Sequence, residues 1–298
     1  MLDAPSKADT YLKRIRIYIA RMPSLSTTVT KVLETCNNPK ASPNDLNRVI
    51  SLDPVLTGQV LRLINSAYYG LPNPITSLTR AIIMLGLNTV KNLALSFAIL
   101  ETMSAKGTFR VFSINDFWAH SLCVAVAARH LAMVKGVSVS GREDFFIAGL
   151  LHDLGKIPLN KQFPDEYRRV LDESYSAQRP LQDLERELLG IDHCSVGELI
   201  AQKWQLGANL IESLGYHHQP DGVSQTNRLF VTLVALANSY ANLLKIGTAG
   251  DVAENHHPII PSLLEQSGLD WTILNNLRDQ VLEAIEKAKI FLEISHHD

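Results

Sequence analysis

The chain has 298 residues, 46% hydrophobic and 19% charged, which supports a large buried core and excludes an extended disordered protein. Three cysteines, Cys36, Cys123 and Cys194, are an odd number without CxxC spacing, which excludes a disulfide framework. The net charge of −2 divides unevenly, with 12 Lys/Arg against 6 Asp/Glu in residues 1–108 and 16 against 24 in residues 109–298, so two regions of opposite sign are expected.

The first residues, MLDAPSKADT, lack the basic-then-apolar pattern of a signal peptide. The longest apolar runs, such as Leu93 to Leu100, fall short of the roughly 20 residues that span a bilayer. A cytoplasmic location with no membrane partner is the expectation. Helical periodicity dominates and no alternating strand pattern stands out, so the fold class is all-α. Ser42-Pro43-Asn44-Asp45 has the form of an N-cap, a first-turn proline and an acid three residues after the cap. Leu46, Val49 and Ile50 then recur at helical spacing. Asp53-Pro54 repeats the start signal ahead of Val55, Leu56, Val60, Leu61, Leu63 and Ile64. Asn65-Ser66 is expected to cap that helix or brace the turn through Gly70. Tyr68 and Tyr69 are expected to pack between lobes. Thr79 to Leu85 predicts a short helix stopped by Gly86, and another starts near Asn88 and runs through Leu93, Ala94, Phe97 and Leu100.

Four or five short helices thus make a bundle of the first hundred residues. The pair meeting at Leu85-Gly86-Leu87-Asn88 has the outline of a helix-turn-helix. Its second helix, however, offers only Lys91 as a basic residue and is otherwise mostly apolar, where a reading helix needs polar side chains for base edges. Nucleic acid is therefore not an expected partner. Met103 to Thr108 (MSAKGT) is the candidate hinge between a lobe of residues 1–108 and one of residues 109–298. Longer helices are predicted at 114–135, 143–153, 181–189, 193–204, 207–217, 228–245 and 271–292. Gly247 to Ser267 reads as an irregular excursion. His256, His257, His296 and His297 fall in loop and tail and are read as solvated.

The chemistry concentrates at Gly149-Leu150-Leu151-His152-Asp153-Leu154-Gly155-Lys156. Adjacent imidazole and carboxylate groups can ligate one divalent ion, or the carboxylate can bridge two. The glycine permits a sharp turn, and Lys156 can contact an anionic group such as phosphate. His120 lies in a mainly apolar helix, with Asp116 one turn before it. His193 opens a helix, and His217-His218 close the next. Each histidine alone fits a core or surface role; as a set on separate helices they need partners, and a shared metal supplies one.

The order His120, His152-Asp153, then a polar residue on a late apolar helix resembles the HD superfamily of metal-dependent phosphohydrolases. Asn238 stands where that family normally has Asp. His193 and His217-His218 resemble the binuclear HD-GYP cyclic-di-GMP phosphodiesterases, although Gln219-Pro220-Asp221-Gly222 lacks the GYP triplet. The chain is most similar to the HDOD family, HD-related output domains of bacterial signalling. The resemblance rests on Met22-Pro23-Ser24-Leu25, Ser51-Leu52-Asp53-Pro54, Leu63-Ile64-Asn65-Ser66-Ala67-Tyr68-Tyr69-Gly70 and Ala81-Ile82-Ile83-Met84-Leu85-Gly86, and covers roughly residues 15–245.

The resemblance implies a helical N-terminal lobe packed on an HD-like helical metal-binding lobe, in a regulatory protein with a mono- or binuclear centre. His120 and His152, with Asn238 as a further candidate, would serve one ion. His193, His217 and His218 would serve the other, and Asp153 would bind or bridge. Iron or manganese is favoured by the HD-GYP resemblance, and zinc is compatible with the same ligands. Asp116 would support a ligand or contact phosphate. A rival reading is a phosphohydrolase of a nucleotide or cyclic dinucleotide, with Asp153 and Lys156 catalytic. A third is a metal-free interaction scaffold. The expected partner is a signalling protein or a nucleotide-type ligand, and the oligomeric state is left open.

Overall fold

Hydroxyl and carboxylate caps begin most helices of the first hundred residues. Ser26 accepts a hydrogen bond from the Val29 amide and starts α2 (Thr27–Asn37). Ser42 and Asp45 form a reciprocal capping box at α3 (Pro43–Ile50), and Asp53 caps α4 (Pro54–Ile64). Ser77 caps α5 (Leu78–Leu85), and Gly86, at φ 89°, turns the chain by 118° into α6 (Leu87–Met103). An amphipathic helix that the sequence pattern does not single out, α1 (Lys7–Arg21), precedes them and buries Ile15 and Ile19. Among the described residues the N-terminal bundle thus has six helices rather than four or five.

The computed structural model describes residues 7–103, 110–251 and 257–295, and among these it contains α-helices, two short 3-10 turns and no strand. The candidate hinge, apart from Met103 at the end of α6, lies outside the described residues, as do His256, His296 and His297. The remaining helices are α7 (Ile114–Val134), α8 (Val139–Leu151), α9 (Lys156–Gln162), α10 (Pro164–Ala177), α11 (Leu181–Leu189), α12 (His193–Lys203), α13 (Ala208–Tyr216), α14 (Arg228–Leu244), α15 (Ile260–Ser267), α16 (Trp271–Ala288) and α17 (Ile290–Ser295).

Two differences from the sequence reading share a cause. Helices α10 and α15, which the sequence pattern does not single out, carry Pro164 and Pro261 in their first turns, where proline's missing N–H is harmless. Gly247 to Ser267 is accordingly not all irregular. The helix expected at 143–153 begins earlier, at a Ser138 cap, and ends at Leu151, so that His152 and Asp153 sit on its open end.

Helix α7 is the axis of the second lobe, enclosed by α8, α14 and α16. By length and composition it could cross a bilayer, which the apolar run lengths alone do not reveal, but 72% of its apolar window is buried inside the protein. It crosses α8 at Gly149, where a Cβ would come within 2.7 Å of the Ala125 Cα.

The described parts of the two lobes share one apolar core. The helix that could have read DNA faces that core with Val90, Leu93, Ala94 and Phe97. Its Asn92, with Asn88, donates to the Asp144 carboxylate of α8 at 2.7 and 2.9 Å. Asn65 fills both expected roles: its side-chain amide donates to the Leu61 carbonyl at the end of α4 at 2.9 Å, and it bonds both the N–H and the carbonyl of Ile75. Tyr68 packs on Phe146 of α8 and on Phe291 of α17, which inserts between the lobes beside Phe97. Burying Phe291 contributes about 1.5–3 kcal/mol. Helix α1 lies on α9, α11 and α12. Its carbonyls at Ile19 and Ala20, and that of Met22 just beyond its end, all accept from Lys203 Nζ at 2.6–2.8 Å, and Arg14 Nη2 donates to the Gln162 carbonyl at 2.8 Å.

Candidate metal centre

The site is built where four helix ends converge. His152 caps α8, and its Nδ1 donates to the Gly149 carbonyl at 2.7 Å. A carbonyl can only accept, so this bond fixes the proton on Nδ1 and leaves Nε2 to face inward. His193 is the first residue of α12, capped by Asp192. Glu185 of α11 accepts from both the His193 amide and its Nδ1, at 2.8 and 2.6 Å, and its other oxygen accepts from Tyr167 at 2.7 Å. His217, at the end of α13, hydrogen-bonds the Ser213 carbonyl through Nδ1 at 3.1 Å. Three imidazoles are thereby aimed by their outer nitrogens.

They aim at Asp153, which is fully buried. Its Oδ2 lies 3.3 Å from His152 Nε2 and 3.9 Å from His120 Nε2; its Oδ1 lies 3.5 Å from His193 Nε2 and 3.6 Å from His217 Nε2. His193 Nε2 is also 3.4 Å from His217 Nε2 and 3.1 Å from His218 Nε2. His152 Nε2, Asp153 Oδ1 and His120 Nδ1 have no hydrogen-bond partner although buried. Leaving such groups unpaired costs about 1–3 kcal/mol each. Lone pairs facing a carboxylate oxygen at these distances repel unless a cation stands between them. The donor set therefore fits a divalent metal: nitrogen and carboxylate ligands, with one Asp153 oxygen toward His120 and His152 and the other toward His193 and His217.

Charge in the site follows the same division. Burial, then the neighbouring His152, pushes His120 down to about 3, and burial also lowers His152, so both are neutral with a lone pair to offer. Burial opposes charge on His193 and His217 too, but Glu185 outweighs it at His193 and Cys194 and Asp153 outweigh it at His217, raised to about 9. A proton thus answers the negative charge of this half, and a metal would displace it. Asp153, despite burial, is held well below the usual carboxylate range by His152 and Lys156.

Lys156 opens α9 and is fully buried. Burial disfavours its charge, but Asp153 and Asp251 keep the ammonium protonated. Its Nζ donates to Asp153 Oδ2 at 2.8 Å and to Asp251, so it already holds two carboxylates rather than pointing at open solvent. Asn238 of α14 accepts from Asn242 at 3.0 Å and places the same oxygen 3.1 Å from His120 Nε2, beside the first half of the centre. Asp116 is exposed. It reaches the site only through its carbonyl, which accepts from the Thr248 amide at 3.1 Å and anchors the loop leading to Asp251.

Glu185, Cys194 and Asp251 were not picked out as site residues from the sequence. Cys194 alone carried a signal, its adjacency to His193. Its Sγ lies 3.9 Å from His217 Nε2 and accepts from Gln182 at 3.5 Å. Burial raises the thiol, but His217 and His193 outweigh it and bring it below its ordinary value.

Comparison with known proteins agrees with this architecture. The model of the HDOD domain matches residues 22–220. An uncharacterised protein of Treponema pallidum (strain Nichols) is 24% identical over 217 residues, 73% of this chain and 41% of the relative, so the chain spans about two fifths of that protein's length. Among solved structures, an HDOD domain protein of unknown function from Geobacter sulfurreducens superposes with a TM-score of 0.75 at 27% identity, covering 94% of this chain and 97% of the other. A candidate signal transduction protein from Marinobacter aquaeolei gives a TM-score of 0.74 at 20% identity, covering 98% and 67%, a likeness of fold.

Proposed function

The chain belongs to the HDOD domain family, and we propose that it is a regulatory signal-transduction protein organised around a buried centre for one or two divalent ions. The observation that carries this reading is the set of orphaned, inward-facing lone pairs around Asp153. His120, His152 and Asp153 Oδ2, beside Asn238, would hold one ion. His193, His217, His218 and Asp153 Oδ1 would hold the other. Iron or manganese suits the nitrogen and carboxylate donors. When bound, such ions neutralise anionic oxygens and act as Lewis acids.

Two features favour regulation over turnover. His120, His152, Asp153, His193 and His217 are all at most 2% exposed, and Lys156 is pinned between Asp153 and Asp251. Helix α1 meanwhile lies on the helices that carry Lys156, Glu185 and His193. Occupancy of the centre in residues 109–298 would therefore be felt by the lobe of residues 1–108, which would present the surface for a signalling partner. Elemental analysis of the untagged full chain tests the centre: about one metal per chain or more is expected. Well under one, with no tight add-back, removes it. Hydrogen exchange before and after chelation tests the coupling, which fails if α1 amides do not respond.

One observation favours a second reading. A carboxylate shared between two histidine groups is the arrangement a two-metal phosphohydrolase uses to clamp attacking and leaving oxygens. Sustained hydrolysis of a nucleotide or cyclic dinucleotide at about 1 per second or faster would establish it over the regulatory reading.

A further inference from the structure

We propose that Cys194 is a thiolate ligand in the half of the centre formed by His193, His217 and His218, and that this closed, four-ligand half selects zinc. The inference rests on the metal-centre reading above and assigns one half of it a metal and a ligand.

The distances carry the argument. Zinc bonds of about 2.0–2.1 Å to nitrogen and about 2.3 Å to sulfur place the corners of a tetrahedron about 3.3 Å apart for two nitrogens and about 3.6 Å for sulfur and nitrogen. His193 Nε2 stands 3.1 Å from His218 Nε2 and 3.4 Å from His217 Nε2, and Cys194 Sγ stands 3.9 Å from His217 Nε2. One donor atom from each of the four residues lies within 4.8 Å of all the others. The two nitrogen–nitrogen separations match tetrahedral edges before any ion enters, and the sulfur, 3.9 Å from both ring nitrogens of His217, lies within reach of the fourth corner. Glu185 and Ser213 accept from Nδ1 of His193 and His217, so each of these imidazoles presents its Nε2 to the shared space.

Sulfur decides the metal. Thiolate is a soft ligand that favours zinc over the harder ions suited to carboxylate and imidazole alone. Cys194 sits in the first turn of α12, where the helix N-terminus stabilises a thiolate, and Gln182 Nε2 donates to it. On binding, the thiol proton leaves to solvent. In this assignment Cys194 takes the place of Asp153 Oδ1 as the fourth ligand, which leaves no open position, so exchangeable chemistry falls to the His120, His152 and Asp153 half.

Zinc X-ray absorption on the full-length protein carrying one equivalent of zinc tests this without a variant. The expected result is one sulfur at about 2.3 Å among nitrogens at about 2.0–2.1 Å. Loss of an outer partner of a metal ligand costs about 10–100-fold in affinity, so Cys194→Ser should weaken zinc at least about 100-fold. Cys36→Ala and Cys123→Ala should bind as the parent does. A shell of nitrogen and oxygen alone, or a sulfur that persists in Cys194→Ser, overturns the assignment and leaves the centre standing. Failure to retain zinc, iron or manganese overturns both.

Discussion

Gly155→Ala is the sharpest perturbation available at the centre. An alanine Cβ there would lie 1.9 Å from the His193 carbonyl oxygen, 2.6 Å from the Gly197 nitrogen and 2.8 Å from the His193 carbonyl carbon. Ordinary van der Waals contact begins near 3.4 Å, so α9 and α12 would have to part by about 1.5 Å. Every obstructing atom is backbone, and no rotamer change relieves the clash. Gly155 has φ −65° and ψ −20°, values any residue adopts, so the requirement is for space rather than for backbone freedom. Overpacking costs about 1–3 kcal/mol, and a backbone obstacle places this substitution at the upper end, about 3 kcal/mol. The same displacement would carry His193 Nε2 from 3.5 Å toward about 5 Å from Asp153 Oδ1, too far for one ion with bonds of about 2 Å to join them. Urea denaturation followed by circular dichroism measures the first effect, and elemental analysis the second. A variant within about 0.5 kcal/mol of the parent and fully metal-loaded would refute the account of how α9 and α12 are held.

Gly58→Ala is the matching control: Gly58 is exposed in the middle of α4 with nothing within 4 Å of the added Cβ, so urea denaturation should show a gain of about 0.5–1 kcal/mol. Lys203→Met removes the ammonium that three carbonyls at the end of α1 and just beyond it share, and should cost about 1.5–3 kcal/mol. Hydrogen exchange should quicken in α1 while α14 is unchanged, and equal protection of α1 in both proteins would count against the anchor. Asn65→Ala unpairs the N–H and carbonyl of Ile75 and should lower stability by about 1–3 kcal/mol, read as a lower Tm; an unshifted Tm means that water replaces the brace. Asn238→Asp places a carboxylate 3.1 Å from His120 Nε2, where Asn242 already donates, so metal affinity should rise about tenfold, or about 1.4 kcal/mol. Unchanged affinity in competition titrations would exclude position 238 from the centre.

Local sequence revealed what local physics decides. The capping box at Ser42, the cap and proline at Asp53-Pro54 and the break at Gly86 act within four residues, and each stands in the structure as read. His152 and Asp153 were legible as candidates from their adjacency together with the histidines on other helices, and the fold brings them beside His120, His193 and His217. Helices α10 and α15 were not, because a proline's meaning depends on whether the turn it begins is later paid back by packing.

The unread residues of the site fail on range. Glu185 lies on an amphipathic helix, where an acid reads as solvent-facing; it is buried because His193 and Tyr167, eight residues later and eighteen earlier, both donate to it. Asp251 reaches Lys156 only because the preceding loop lies on α7, with Gly247 at φ 63° where a Cβ would fall 2.3 Å from the Asp116 carbonyl. Cys194 neighbours His193 but sits in a first turn, where the 3.6-residue period does not say which way a side chain faces. The candidate ligand types were thus written locally, while the groups that fix their tautomers and charges were brought in by the fold. His193 illustrates the consequence: the sequence marks it as a candidate ligand, yet only Glu185, by taking the Nδ1 proton, directs Nε2 into the centre.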